Sequence, residues 1–247
     1  MVLLHSSPLS GTANMSLDEA LLRDVERRGD GTAYLRLYRW DPPCLSFGRN
    51  EPALTRYDRD LIERLGLDVV RRPTGGRAVW HEHELTYAVA APISAFGCLQ
   101  DSYRDIHRRL AMALQRLGAR AELAPRATRT AGLSAGACFA QPMGGEVVIG
   151  GRKVIGSAQV RQGNAFLQHG SILLDGSQDM VARVSRVPRA PPNATTLRAA
   201  LGHPVTFHEV AQAILATWGP HAILDPRAGR LAGPSGRRAD PSWTWRR

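Results

Sequence analysis

The chain has 247 residues, of which 43% are hydrophobic, so it can bury one sizeable core or two small ones without disulfide support. Its three cysteines are an odd number with wide spacing and indicate neither a disulfide framework nor a zinc site (Cys44, Cys98 and Cys138). The N-terminal segment lacks the basic flank of a signal sequence, and no later apolar run reaches the roughly 20 residues that span a bilayer. We therefore expect a cytoplasmic protein with no membrane partner.

The formal net charge of +10 would suit a nucleic-acid-binding protein, because basic surfaces attract phosphate. The basic residues are nevertheless scattered apart from a few doublets, and no RNA-binding or DNA-binding motif accompanies them. We therefore expect no nucleic-acid partner. An acidic protein partner, or solubility alone, explains the charge equally well.

Lysine is almost absent from the sequence. Of the 32 basic residues, 31 are arginine and one, Lys153, is lysine. Arginine keeps its charge in every environment, whereas an amine can lose its proton when desolvated and can then act in acid–base chemistry. The lone lysine indicates either a position that needs an amine or a codon bias with one chance exception, and composition leaves both open.

The first half of the chain predicts alternating helices and strands. Ser16 and Glu19 form a capping-box pattern, which predicts a helix that ends near Gly29. A second helix is predicted at 55–65, where Gly66 stops it. Alternating or β-branched residues predict five strands, at 33–40, 44–47, from 69, 78–81 and 85–91.

The second half begins with the most regular amphipathic helix, at 102–117, followed by a polar loop at 125–135. Glycine-rich turns then separate three strands of a predicted meander, at 146–149, 153–161 and 165–174. Thr206 and Glu209 form a second capping box for a helix to about Trp218.

Strands outnumber helices in this pattern and are joined by hairpins as well as helices. This predicts an α+β fold with a mixed, largely antiparallel sheet packed with helices. No repeat or linker is visible, so we expect a single domain over 1–225 and a loosely held basic tail, rich in glycine and proline, over 226–247.

A first cluster of candidate binding residues lies at 71–81, between two predicted strands. The adjacent Gly75 and Gly76 allow the backbone to approach a ligand closely, and Arg71 and Arg72 could hold a carboxylate or phosphate. A glycine pair is more often only a turn, and the spacing is not that of a P-loop. Arginine and His81 beside the turn favour binding modestly.

A second cluster surrounds Cys138, on the segment Gly136-Ala137-Cys138-Phe139. A lone cysteine is usually a small buried hydrophobe, but a nearby cation can turn it into a nucleophile. Lys153 could provide that cation, since an amine stabilises a thiolate and can move protons. The small residues 156–158 leave room above a strand, and His169 is expected on the neighbouring strand. Their 15-residue separation does not prove that Cys138 and Lys153 meet.

Together these motifs resemble the superfamily of biotin/lipoate protein ligases and lipoyl (octanoyl) transferases. The resemblance spans about two thirds of the chain in family order, which makes it specific although each motif alone is weak. It rests on Asn14-Met15-Ser16-Leu17-Asp18, Trp40, Gly48-Arg49-Asn50, the 71–81 block, Glu84-Leu85-Thr86-Tyr87 and Gln168-His169-Gly170-Ser171. It implies the catalytic-domain fold of that superfamily.

Within the superfamily, ATP-dependent lipoate ligases typically have a third glycine where this chain has Arg77, and they continue with Asp-x-Gly-Asn rather than residues 82–87. The chain is more similar to Gram-positive-type octanoyltransferases in Gly-Gly-Arg-Ala-Val, Ala-Cys-Phe and Gly-Arg-Lys-Val-x-Gly-Ser-Ala-Gln. An ATP-dependent lipoate–protein ligase and a lipoyl amidotransferase stay as enzymatic alternatives. A non-catalytic binder of acylated carrier proteins or nucleic acid is supported only by fold and charge.

The resemblance implies a cofactor-independent acyltransferase with Cys138 as the acyl-thioester residue and Lys153 as the residue that lowers the pKa of its thiol. The donor would be the octanoyl-phosphopantetheine of acyl carrier protein, and the acceptor a lysine of a lipoyl domain or a glycine-cleavage H protein. These acidic partners would match the basic chain. No metal is implied. The implied substrate-binding residues are Arg71, Arg72, Thr74, Gly75, Gly76, Arg77, His81, Gly156, Ser157, Ala158 and His169.

Overall fold

The computed structural model describes residues 1–5, 7–125, 144–187, 192–219, 223–224 and 240–246. The helices in these ranges are α1 (Gly11–Arg28), α2 (Ala53–Arg56), α3 (Arg59–Arg64), α4 (Leu99–Arg116), α5 (Asp179–Arg183), α6 (Leu197–Leu201), α7 (Phe207–Trp218) and α8 (Pro241–Thr244). The strands are β1 (Val2–His5), β2 (Tyr34–Tyr38), β3 (Cys44–Phe47), β4 (Asp68–Arg71), β5 (Val79–His81), β6 (Glu84–Pro92), β7 (Ala121–Leu123), β8 (Val147–Ile149), β9 (Arg152–Lys153), β10 (Ile155–Gln162), β11 (Ala165–Leu173) and β12 (Ile223–Leu224).

The described strands form three sheets. The largest has six strands in the order β10-β11-β6-β2-β1-β12, antiparallel from β10 to β2 and parallel from β2 to β12. A second sheet, β4-β3-β5, combines a parallel and an antiparallel pair, and a third, β7-β8-β9, is antiparallel. The predicted α+β class with a mixed, largely antiparallel sheet is therefore confirmed.

Helices cover both faces of the six-stranded sheet, which explains why β11 is buried along its whole length. On one face, α4 and α7 pack against alternate strand residues such as Leu35 and Leu37. On the other, α1 packs against the alternate residues of the same strand, such as Tyr34 and Tyr38. Because successive side chains of a strand point to opposite faces, β2 contributes to both cores. Among the described helices, none combines the length and apolar character that crossing a bilayer requires.

Two element boundaries differ from the predictions. Helix α1 begins at Gly11 with Ser10 as its N-cap, so the predicted start at Ser16 is wrong. Ser16 lies inside the helix and is buried, as are Asn14 and Asp18. Polar residues of this kind are also typical of helix N-termini, so the sequence pattern was misread as a cap. At its other end, Gly29 is the C-cap in the left-handed conformation, as predicted.

The predicted strand at 153–161 is divided between two sheets. Lys153 pairs with β8, whereas the chain from Ile155 pairs with β11. The predicted helix at 55–65 is likewise two helices, because Tyr57 is extended and Asp58 caps α3. The prediction that residues 146–174 form a three-strand meander in one sheet is therefore wrong.

The expectation of a loosely held C-terminal tail is wrong for residues 240–246. Trp245 is buried, with its ring centroid 5.4 Å from that of Phe47. Arg71, which is also buried, donates hydrogen bonds to the backbone carbonyls of Trp243 and Thr244 at 2.9 Å each. These contacts fasten α8 to the end of β4.

Candidate active site

A narrow cavity lies where β5, β10 and β11 meet α1. Six residues that the sequence singled out line it: Arg72, His81, Gly156, Ser157, Ala158 and His169. The fold brings these residues together because β10 and β11 pair antiparallel, which sets Ala158 opposite His169. Trp40 and Met15 supply apolar surface to the same cavity.

His169 is held by one charged and one neutral partner. Its Nδ1 lies 2.9 Å from Asp18 Oδ2 on α1, and its Nε2 lies 2.7 Å from Thr74 Oγ1. Burial lowers the pKa of His169, although hydrogen bonding to Asp18 opposes this shift. The predicted site residues Thr74 and His169 are thus in direct contact, and Asp18 fixes the imidazole.

Asp18 itself belongs to a buried ion pair. Arg36 Nη1 donates to Asp18 Oδ1 at 2.7 Å, and neither side chain is exposed. Burial alone would raise the pKa of Asp18, but the Arg36 charge and His169 hold it below its usual value. This paired carboxylate is therefore an anion, which suits it to orient His169.

His81 lies in a second polar cluster at the cavity. Its Nδ1 is 2.8 Å from Glu84 Oε1 and its Nε2 is 2.5 Å from Ser46 Oγ. The Trp40 ring stacks on the imidazole with centroids 4.0 Å apart. With both nitrogens occupied and one face covered, His81 presents only an edge or the other face to the cavity.

Lys153 forms a buried ion pair with Glu146. Their Nζ and Oε1 atoms are 2.6 Å apart, and the two side chains are 2% and 3% exposed. The β8–β9 hairpin brings them together. Cys138 lies outside the described residues, as do most residues of the predicted loop at 125–135, so its position relative to Lys153 stays a prediction.

Sequence reasoning missed His107, which lies behind the β10 wall of the cavity. Its Nε2 is 2.8 Å from Ser157 Oγ, and its Nδ1 is 2.7 Å from the carbonyl oxygen of Gly145. Burial, and secondarily the Lys153 charge, lower the pKa of His107 to about 4 although the Gly145 hydrogen bond opposes this. The available signal was its position beside Ile106 on the apolar face of α4.

Arg71, which the sequence predicts to bind phosphate, is buried among backbone carbonyls. Its side chain is unexposed, and its guanidinium donates to backbone carbonyls of the Gly48 loop at 2.7 Å as well as to α8. Arg72 donates to Ser46 and to the carbonyls of Gly75 and Arg77 while lining the cavity. A phosphate would have to displace these bonds.

The glycine turn at Gly75 and Gly76 packs closely against Gly48. Gly75, Gly76 and Arg77 are absent from the residues that line the cavity in the described structure. Gly76 has a φ of +91°, and a Cβ on Gly48 would collide with the Gly76 carbonyl oxygen. The close approach of these two glycines positions Thr74, whose carbonyl accepts from Arg49 N at 2.7 Å.

Gly170 provides a testable packing requirement within the cavity. A Cβ at this position would lie 2.5 Å from Ser157 Oγ and 2.6 Å from the Gly156 carbonyl oxygen. Because the second contact is to backbone, Gly170→Ala should lower the free energy of unfolding by about 1–3 kcal/mol. Urea unfolding measures this, with Gly75→Ala as control, since a Cβ there meets nothing within 4 Å. Equal losses in both variants would contradict the packing account.

The two buried histidines should make the fold acid-sensitive. His107 titrates near pH 4 in the folded protein and near 6.5 when unfolded, and burial also lowers the pKa of His169. The unfolded chain therefore binds more protons below pH 6.5, so the free energy of unfolding falls as the pH drops from 6.5 to 4. Thermal unfolding across this window should show a shallower fall in His107→Phe. A variant with the wild-type slope would refute the assignment.

Comparison with known proteins supports one family for this arrangement. The model of the lipoyl protein ligase A/B catalytic domain matches residues 10–219. Octanoyltransferase LipM of Carboxydothermus hydrogenoformans is 44% identical over 71% of this chain and 65% of its own length, just under two thirds of that relative. Octanoyltransferase LipM of Symbiobacterium thermophilum is 38% identical over 93% of this chain and 89% of its own length.

Solved structures show the same fold at lower sequence identity. A crystal structure of lipoate-protein ligase A bound with ATP has a TM-score of 0.79 at 20% identity, covering 99% of this chain and 98% of that one. A bipartite lipoate protein ligase from Thermoplasma acidophilum has a TM-score of 0.73 at 21% identity, covering 99% and 95%. At these identities the likeness establishes the fold alone.

Proposed function

The chain belongs to the lipoyl protein ligase A/B catalytic domain family, and from this premise we propose that it is an octanoyltransferase of protein lipoylation. The observation that carries the proposal is its 38% identity to an octanoyltransferase across 93% of the chain. The substrate is an octanoyl thioester and the acceptor is a lysine of a lipoyl domain. The bipartite ligase of the same fold was solved together with its E2 lipoyl domain.

The proposed reaction has two half-reactions. The Cys138 thiolate attacks the thioester carbonyl of octanoyl acyl carrier protein, the bond to the carrier sulfur breaks, and the carrier leaves as its thiol after taking up a proton. The acceptor amine then attacks the octanoyl-enzyme, an amide forms, and the amine proton is transferred to the departing Cys138 sulfur. The thioester donor is already activated, so neither half-reaction consumes ATP.

Lys153 is proposed as the proton carrier and charge partner of Cys138. Its Nζ is the single lysine amine in the sequence, and it is buried beside Glu146. A buried cation near a thiol favours the thiolate form. Glu146 balances the lysine charge when the thiol is protonated, which keeps an otherwise costly buried ammonium in place.

The octanoyl chain is proposed to occupy the cavity beside Gly156, Ser157 and Ala158. Small residues of β10 and the indole of Trp40 line this cavity and offer the chain apolar contact. Exclusion of water from this space would protect the thioester intermediate from hydrolysis. Burial of the alkyl chain supplies binding free energy of about 0.8 kcal/mol per methylene.

The experiment that tests this function is intact-protein mass spectrometry after mixing with octanoyl acyl carrier protein. An added octanoyl mass is expected, followed by its loss when a lipoyl domain is supplied without ATP. A lipoyl amidotransferase would instead be acylated by an octanoylated H protein. Pyrophosphate release from ATP and free octanoate, with no transfer from the carrier, would replace this proposal with ligation.

Lys153→Arg tests the amine requirement. The variant keeps a positive charge opposite Glu146 but loses an amine that can give up a proton, so transfer to the lipoyl domain should fall about a hundredfold. The matched control is Arg152→Lys, the reverse exchange at the adjacent exposed position, which should retain transfer. Undiminished transfer by Lys153→Arg would remove the lysine from the mechanism.

A further inference from the structure

The C-terminal residues 240–246 are joined to the cavity by an unbroken series of contacts. We propose that this segment is a clasp that positions Thr74, and through Thr74 the imidazole of His169 at the cavity. The clasp would set the geometry of the cavity whichever group binds there, so its role goes beyond the proposed acyl transfer.

The series begins where the clasp contacts Arg71. The guanidinium of Arg71 donates to the carbonyl oxygens of Trp243 and Thr244 at 2.9 Å each. Its Nη1 donates to the carbonyl oxygens of Gly48 and Glu51 at 2.7 Å each. Because Arg71 is unexposed, water does not compete for these hydrogen bonds. One planar guanidinium group therefore fixes the clasp relative to the loop that begins at Gly48.

Two further residues of the clasp contact the same region. The buried ring of Trp245 lies 5.4 Å, between centroids, from that of Phe47, the last residue of β3 before the loop. Arg246 donates a hydrogen bond to the carbonyl oxygen of Arg49 within the loop. The clasp therefore holds the loop through apolar packing as well as through Arg71, and the indole of Trp245 is the part that a single substitution removes.

The loop in turn holds Thr74. The backbone N–H of Arg49 donates to the Thr74 carbonyl oxygen at 2.7 Å. Next to this bond the backbones of Gly48 and Gly76 are so close that a Cβ on Gly48 would collide with the Gly76 carbonyl oxygen. Both contacts are made by backbone atoms, so no side-chain rotation can release them. A displacement of the loop must therefore displace Thr74.

Thr74 ends the series at His169. Asp18 is an anion paired with Arg36 and can only accept, so the His169 Nδ1 atom 2.9 Å away carries a hydrogen. Burial lowers the pKa of His169, so at neutral pH the imidazole is uncharged and its Nε2 is bare. The Thr74 hydroxyl, 2.7 Å away, donates to this nitrogen. Asp18 thus holds one side of the ring, and Thr74, which depends on the clasp, holds the other.

The test observes His169 by NMR in protein labelled with ¹⁵N at histidine, where its signals are assigned by their absence from His169→Gln. Trp245→Ala should open the clasp and draw Thr74 away from Nε2. The Nε2 resonance should then move downfield, toward that of a nitrogen without a hydrogen bond. The pKa of His169 should rise, because its neutral form loses a donor. A wild-type resonance and a wild-type pKa in folded Trp245→Ala would overturn the proposal.

Thr74→Val calibrates this signal, because it removes the hydroxyl that donates to Nε2 and leaves the clasp in place. It should move the resonance in the same direction. If the clasp acts through Thr74, adding Trp245→Ala to Thr74→Val should move the resonance no further. An additional shift in the double variant would show that the clasp reaches His169 by another route, which would overturn the role given to Thr74.

Ile214→Ala separates positioning from a general loss of stability. Ile214 is unexposed on α7, which covers the face of the sheet opposite α1. Each of the two alanine variants loses a large buried apolar side chain, so both should lower the urea midpoint. Only Trp245→Ala should move the His169 resonance, and equal shifts in both variants would overturn the proposal. Should Trp245→Ala not fold, Trp245→Leu, which keeps an apolar side chain, takes its place.

The rate of transfer to a lipoyl domain is a second measurement, and it rests on the proposed function. Trp245→Ala and Thr74→Val should each slow transfer roughly tenfold, as expected for one lost hydrogen bond. Ile214→Ala should slow it less than about threefold when all variants are folded. If wild-type protein transfers nothing, the proposed function fails and the His169 resonance alone judges the clasp. If wild-type protein transfers and Ile214→Ala is as slow as Trp245→Ala, positioning by the clasp is refuted.

Discussion

Cys138→Ser is expected to abolish the octanoyl-enzyme and to reduce transfer to a lipoyl domain by at least about a thousandfold. A serine hydroxyl does not ionise near neutral pH, so the variant lacks the nucleophile that the first half-reaction needs. The measurement is the intact mass after incubation with octanoyl acyl carrier protein. An octanoyl mass retained by the variant would refute the assignment of Cys138.

The other two cysteines sharpen this expectation. Cys44 is fully buried, and burial together with the nearby Asp68 carboxylate raises the pKa of its thiol well above its usual value. It is therefore a poor nucleophile. Cys98 is exposed at the start of α4, remote from any lysine in sequence. Cys98→Ser is the matched control and should acquire the octanoyl mass as the wild-type protein does.

Arg36→Met should lower the free energy of unfolding by about 3–5 kcal/mol, because it leaves the Asp18 carboxylate buried without its cation. Both side chains of this pair are unexposed. Asp18 also accepts a hydrogen bond from Tyr38 at 2.9 Å and orients His169. Loss of Arg36 should therefore also disturb the position of His169 at the cavity. Urea unfolding measures the change, and the second consequence is weaker transfer.

The control for Arg36→Met is an ion pair of nearly the same length at the surface. Arg198 donates to Asp175 at 2.8 Å, but the two side chains are 57% and 46% exposed. Arg198→Met should change the free energy of unfolding by less than about 1 kcal/mol. If the two arginine variants lose similar stability, burial does not explain the importance of Arg36.

The parts of the fold that sequence predicted are those with strong local signals. Strand β3 has the predicted bounds, and the capping box of Thr206 and Glu209 begins α7 as expected. The boundaries that failed depend on distant partners. Ser16 was predicted to cap the helix because the sequence does not show that it is buried inside α1. The strand divides after Lys153 because Lys153 pairs with β8 whereas Ile155 pairs with β11.

The same division applies to the site. Residues 156–158, His81 and His169 were predicted from motifs, and the structure gathers them around one cavity. Glu146 and His107 were missed because their importance comes from contacts that local sequence does not encode. The burial of Arg71 was missed for the same reason, since the carbonyl groups that surround it come from α8 and the Gly48 loop. Charge in a motif does not reveal whether solvent can reach it.

The burial of Lys153 has a consequence for the proposed transfer of acyl groups to lysines. Its one lysine is 2% exposed and paired with a carboxylate, and every other basic position is arginine. Guanidinium groups stay protonated and do not attack thioesters at neutral pH. The protein thus offers the acyl group of the proposed reaction no exposed lysine side chain of its own, so self-modification at lysine would not compete with transfer to the acceptor.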